Sequence, residues 1–105
     1  MLLFFRRSIL MLRKNCPVLC IPKIPYSVKL NTIKHVFDNL KLGPIQKINS
    51  VNMNNGFHKV IIYFNYWIGN EKNLAIESKI MNNETMYIPY DGGIFRCVGF
   101  KKNKI

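Results

Sequence analysis

Acidic side chains are scarce in this chain: 5 Asp and Glu stand against 16 Lys and Arg, a formal net charge of +11 over 105 residues. Such a balance favours nucleic acid or an anionic membrane surface as partner, and it says nothing about fold. The wealth of Asn, Lys and Ile is also what AT-rich coding sequence over-produces, so composition accounts for part of the lysine excess. Apolar runs are short, well below the ~20 residues a bilayer span needs, so no transmembrane helix is expected. Cysteine is limited to Cys16, Cys20 and Cys97. An odd number does not make a disulfide framework, and the spacing of Cys16 and Cys20 is not the C-x-x-C of a zinc or redox motif. The only histidines, His35 and His58, are not at ligand spacing, so neither a metal nor a cofactor is expected and the thiols read as buried or inert. A phosphate-cradling glycine loop is missing too. Neither histidine has a nucleophile or an acid at telling spacing, and an enzyme is not expected.

What is present is unevenly placed. Between Cys16 and Asn70 six lysines (Lys23, Lys29, Lys34, Lys41, Lys47, Lys59) face one acid, Asp38, whereas Glu71, Glu77 and Glu84 gather in one later stretch. Residues 1–15 mix apolar clusters with Arg6, Arg7, Arg13 and Lys14 and carry no acid. Arg6 and Arg7 split the apolar stretch that a secretory signal requires, and Met11 offers a second start. This segment reads as a basic, apolar extension, disordered or loosely helical. Residues 16–101 form a single domain, with no room for a second core, and 102–105 are a basic tail.

Regular periods begin after Cys16. An apolar run over 18–21, stopped by Pro22 and Pro25, reads as a strand. Asn31 is placed to cap a helix whose Ile33, Val36, Phe37 and Leu40 make one apolar stripe, ended by Gly43-Pro44. Ile45, Ile48 and Val51 begin a second strand, and Asn54-Asn55-Gly56 is a hairpin signal. The stretch from Phe57 to Trp67 alternates Val60, Ile62 and Phe64 with Lys59, Ile61 and Tyr63, a strand with one buried and one displayed face. A second helix is expected over 71–81, with Leu74, Ala75 and Ile80 inward. Residues 86–89 read as a short extended piece, Asp91-Gly92-Gly93 as a turn and 94–100 as a last strand. There, Phe95 and Cys97 are assigned to the core and Arg96 to the displayed face. The order βαββαβ is the split βαβ of ferredoxin-like α+β folds: a four-stranded antiparallel sheet with both helices on one face.

The other face then has no cover and carries Lys59, Ile61 and Tyr63, a set suited to a polyanion with flat bases. Arg96, Lys47 and Cys20 complete the candidate set. Trp67 reads as an anchor at the sheet edge.

From Cys20 to about Lys101 the chain resembles an RNA-recognition-motif (RRM) domain, and more closely the short RRM-like proteins of large DNA viruses. The residues that carry the resemblance are Cys20-Ile21-Pro22, then Phe37, Leu40, Leu42-Gly43 and Ile45, then 59–64 with Trp67, and finally Tyr90-Asp91. Placing Phe64 at the last position of the family's third-strand octamer puts Lys59 and Ile61 where two exposed aromatics belong, and Cys20 takes the first-strand aromatic position. Tyr63 is the platform that remains. The resemblance implies weak binding of single-stranded RNA (or DNA) with low sequence preference, in the host cytoplasm, a viral factory or the virion. A protein-docking module that uses the aromatic-poor sheet face is the alternative. Acylphosphatases share the element order, but their Arg- and Gly-bearing loop is replaced here by Pro22-Lys23-Ile24-Pro25.

Overall fold

The computed structural model describes residues 16–100, and the expectations for the extension and the tail concern residues outside that range. Within it the elements run β1 (Leu19–Pro25), α1 (Leu30–Leu40), β2 (Ile45–Asn52), β3 (Phe57–Phe64), α2 (Glu71–Met81), β4 (Met86–Tyr90) and β5 (Gly93–Gly99). All strand pairs are antiparallel, and the sheet has five strands in the order β2-β3-β1-β5-β4. One strand more than expected is present, because 86–90 does not stay an isolated extended piece. It zips to β5 from Met86↔Cys97 to Tyr90↔Gly93 across the Asp91-Gly92 turn. Pro89 is tolerated there because β4 is an edge strand.

One core unites both helices with one face of the sheet. Ile33 and Phe37 of α1 and Ile80 of α2 are buried with Leu19, Ile21, Val60, Ile62, Phe64, Phe95 and Cys97. Phe37 is fully buried and lies parallel to the Phe95 ring, 6.4 Å between centroids, while Tyr90 stacks on Phe95 at 4.2 Å. Gly99 allows α2 this close: a Cβ there would meet the Ile80 side chain at 2.7 Å.

Several boundaries move for identifiable reasons. β1 runs on past Pro22 to Pro25, because Pro22 falls in a bulge where no ladder N–H is required. α1 starts after Lys29 rather than being capped by Asn31, and it ends at Lys41, which takes the left-handed conformation at φ 60°. Gly43 serves another need. A side chain there would strike the Tyr66 carbonyl oxygen at 2.0 Å, so glycine permits the loop after α1 to lie against the loop after β3. The β2–β3 hairpin has the expected turn residues, with Asn55 and Gly56 both at positive φ. Asn70 caps α2, accepting from the Asn73 N–H at 2.9 Å.

The inward residues of α2 are Asn73, Ile76 and Ile80. Leu74 and Ala75, expected inside, are exposed. An asparagine displaces them because its side chain clamps the two loops together. Asn73 Nδ2 donates to the carbonyls of Ile68 at 2.7 Å and Lys41 at 3.0 Å, with the Leu42 carbonyl at 3.4 Å. Ile68 N–H closes the same junction onto the Leu42 carbonyl at 2.7 Å, and Lys72 Nζ donates to the Leu40 carbonyl. The Lys41 carbonyl lies at the C-terminal end of α1, where helix carbonyls need partners from outside the helix. At the opposite end of the core His58 is buried, its Nδ1 2.7 Å from Ser50 Oγ and its ring edge-on to Tyr26.

Two substitutions test this packing. Phe37→Ala removes the ring that joins α1 to β5 and is expected to lower stability by ~3–5 kcal/mol in urea denaturation. Asn73→Ala removes the side-chain hydrogen bonds that join the two loops and is expected to lose ~1–3 kcal/mol. Asn73→Asp is expected to lose more, since a carboxylate would then face those oxygens. An unchanged urea midpoint for either Asn73 variant would show that the two loops hold together without the clamp.

Candidate nucleic-acid interface

Charge is sorted by layer. The strands carry Lys23, Lys47, Lys59 and Arg96 and no acid at all. In α1 Lys34 is paired with Asp38 at 3.0 Å, and in α2 Lys72 and Lys79 are matched in number by Glu71 and Glu77. Lys29 and Lys41 in the loops are matched in the same way by Glu84 and Asp91. The net charge of residues 16–100 is therefore that of the four strand cations. The rest of the +11 lies in 1–15 and 101–105.

All four strand cations reach the sheet face turned away from the helices. On β3 that face holds Phe57, Lys59, Ile61 and Tyr63, alternating with the buried His58, Val60, Ile62 and Phe64. Across the sheet Ile61 stands between Asn49 and Cys20, and Cys20 stands next to Val98. Lys47 pairs with Tyr63, Val51 with Lys59, and Tyr87 with Arg96. Arg96, Phe95 and Cys97 divide between the two faces as expected, with Arg96 exposed and the other two buried.

The centre of this face is more closed than expected. Cys20 is only 5% and Ile61 only 7% exposed, Lys59 and Tyr63 are half-buried, and Lys47 and Arg96 are exposed. Ile61 sits mid-strand, with Lys59 and Tyr63 beside it and residues of β2 and β1 on either side. Cys20 lies close enough to Lys59 and Arg96 for both cations to favour its thiolate, yet burial outweighs them and raises its pKa.

Two β-bulges decide where Lys23 and Lys47 point. The segments Ile21-Pro22-Lys23-Ile24 and Ile45-Gln46-Lys47-Ile48 share the pattern Ile-x-Lys-Ile. In each, both isoleucines face the core opposite residues two apart on β3: Val60 and His58 for the first, Phe64 and Ile62 for the second. Two residues therefore stand where strict alternation has one, and the extra residue turns the lysine outward. Lys23 Nζ comes to rest 4.4 Å from the Phe57 ring centroid and Lys47 Nζ 4.7 Å from that of Tyr63. These are cation–π contacts, each worth ~0.5–1 kcal/mol when exposed.

Phe57, Lys23 and Tyr87 are the residues that the sequence reading did not assign to the face. Phe57 was legible, being on the same period as Lys59. Lys23 was hidden by the bulge. Tyr87, 67% exposed beside Arg96, was hidden because its strand was not recognised.

Other chemistry is thinner. Trp67 is buried edge-on against Phe64, an anchor as expected. A groove of about 660 Å³ lies between α1 and the β4–β5 hairpin, and its titratable side chains are His35, Tyr90 and Asp91. Ser50 and His58 make a nucleophile–base contact, but among the described residues no acid orients the far side of the buried imidazole, so the triad arrangement is incomplete there. Among the described residues no three His, Cys, Asp or Glu side chains group as metal ligands, and no helix is long and apolar enough to cross a membrane.

Burial pushes the Cys97 thiol from 9.0 up to about 12; the nearby Cys20 adds to this, and a hydrogen bond from the Cys20 backbone opposes it. As pH rises past 9.0 the unfolded chain releases this proton while the folded chain holds it, so stability falls between 9.0 and about 12. Cys97→Val is expected to melt with a shallower pH dependence in that window. Native protein at pH 8 should leave Cys97 unalkylated by iodoacetamide, whereas unfolded protein reacts. Rapid labelling of native Cys97 would contradict the buried placement.

No family model, curated protein or solved structure matches this chain.

Proposed function

We propose that this chain is a small RRM-like protein that binds single-stranded RNA, with little sequence preference, across the acid-free face of its sheet. The observation that carries the proposal is the sorting of charge. The strands hold four of the nine cations of residues 16–100 and none of the five carboxylates, on a face that also presents Phe57, Tyr63 and Tyr87. Cations attract a phosphate backbone through counterion release, and rings add stacking that tolerates any base. On this reading β2-β3-β1-β5 with α1 and α2 is a ferredoxin-like split βαβ, and β4 is an added edge strand. The resemblance to RRM-like proteins of large DNA viruses points the same way, and with it to work in the host cytoplasm, a viral factory or the virion. The protein-docking alternative uses Ile61 and Tyr63 of the same face, and of these Ile61 is nearly buried, which weighs against it.

Fluorescence anisotropy with a labelled oligouridylate, measured over a range of salt, tests the proposal. Lys59→Gln or Arg96→Gln is expected to flatten the log–log salt dependence by ~0.7 for each phosphate that is no longer neutralised. Tyr63→Ala is expected to weaken binding by ~1–3 kcal/mol and leave that slope nearly unchanged, because stacking releases few counterions. Absence of measurable affinity at low salt would overturn the function.

A further inference from the structure

The two bulges do more than add charge to the face. Each sets an ammonium group on an aromatic ring, one near either end of β3. Phe57 and Tyr63 are six residues apart, ~20 Å along a strand. Both rings are half-buried, and a ring face that carries an ammonium is closed to a nucleobase. Both platforms are thus capped in the free protein, in the same way and by the same four-residue pattern.

We infer that Lys23–Phe57 and Lys47–Tyr63 are a pair of exchange subsites for single-stranded nucleic acid. The base takes the ring face, and the displaced lysine turns to the phosphate of the strand that brought the base. This rests on the reading of the sheet face as a nucleic-acid site and assigns two of its stacking positions, those on β3. The chemistry suits the exchange. A lysine is a flexible stem with a compact charge, so it leaves a ring without disturbing the strand. Its ion pair with a phosphate then replaces the cation–π contact it gives up. The bound nucleotide must offer both a planar base and a backbone phosphate. A phosphate chain without bases engages the lysines but gains nothing from the rings. A duplex hides the base faces. The subsites therefore select single strands over duplexes and over simple polyanions, without reading base identity.

The test uses the full chain, oligouridylate and an abasic ribose-phosphate strand of equal length. In the free protein, ring currents shield the ε-methylene protons of Lys23 and Lys47. Saturation with oligouridylate is expected to abolish that shielding, and the abasic strand is expected to leave it in place. In anisotropy, Lys47→Gln removes a charge and also uncaps Tyr63. Its binding of oligouridylate should be weaker than wild type at low salt and about two- to fivefold tighter at high salt, the value of the missing cap, so the two salt curves cross. Lys59→Gln, whose lysine caps no ring among the described residues, should give curves that do not cross. Lys23→Gln is expected to repeat the crossing at Phe57. Shielding that survives saturation, or Lys47→Gln and Lys59→Gln curves of the same form, would overturn the exchange while leaving RNA binding intact. Failure of both strands to bind at low salt would overturn the binding function with it.

Discussion

β3 is hydrogen-bonded along both edges, and the rest of the molecule is fitted to it. Its core face supplies Val60, Ile62 and Phe64, against which α1 and β1 close. A strand in that position cannot shift by one residue without turning its whole apolar set outward, so its neighbours must absorb any mismatch. They do so by the same device, an Ile-x-Lys-Ile segment in which two isoleucines three apart both reach the core. The bulge is a packing solution first. Its by-product is a lysine on the far face beside an aromatic of β3, so the requirements of the core and the chemistry of the surface come from one backbone irregularity.

Where apolar period and turn chemistry agreed, the fold was legible. The Ile33–Phe37 stripe, the Asn-Gly turn between β2 and β3 and the alternation of β3 all leave periodic signatures, and each appears in the structure. The failures share a cause, because each involves a residue whose role is set by distant backbone. Asn73 looks like a solvated residue until the carbonyls of Lys41, Leu42 and Ile68 converge on it, and its burial rotates α2 so that Leu74 is left outside. Lys23 falls on either face depending on a bulge that composition does not announce. β4 is too short and too interrupted by Pro89 to show a period of its own, and only its ladder with β5 makes it a strand.

The candidate site divides in the same way. Lys59, Tyr63 and Arg96 were found from alternation alone, and Cys20 and Ile61 share their face, yet alternation predicts direction and not depth. Those two are nearly closed off at the centre of the sheet, while the cations and rings lie around them. A near-closed apolar centre within a charged and aromatic surround leaves no periodic signature, because it depends on which strands lie side by side.

That arrangement bears on how a ligand would be held. In an RRM the stacking rings sit at the centre of the sheet, and on the reading proposed for this chain Cys20, Lys59 and Ile61 would stand in those positions. The rings of β3 on this face, Phe57 and Tyr63, stand at its two ends, each beside a lysine from a different neighbouring strand. A strand drawn over this face would meet a cation–ring pair, pass an apolar centre that offers no stacking platform, and meet a second pair. Grip at two separated points depends on the spacing between them and on the flexibility of the strand, not on the identity of the intervening bases. The ring-free centre of this face and the low sequence preference proposed for the protein would then be one property, and the bulges beside β3 would make binding at its ends available.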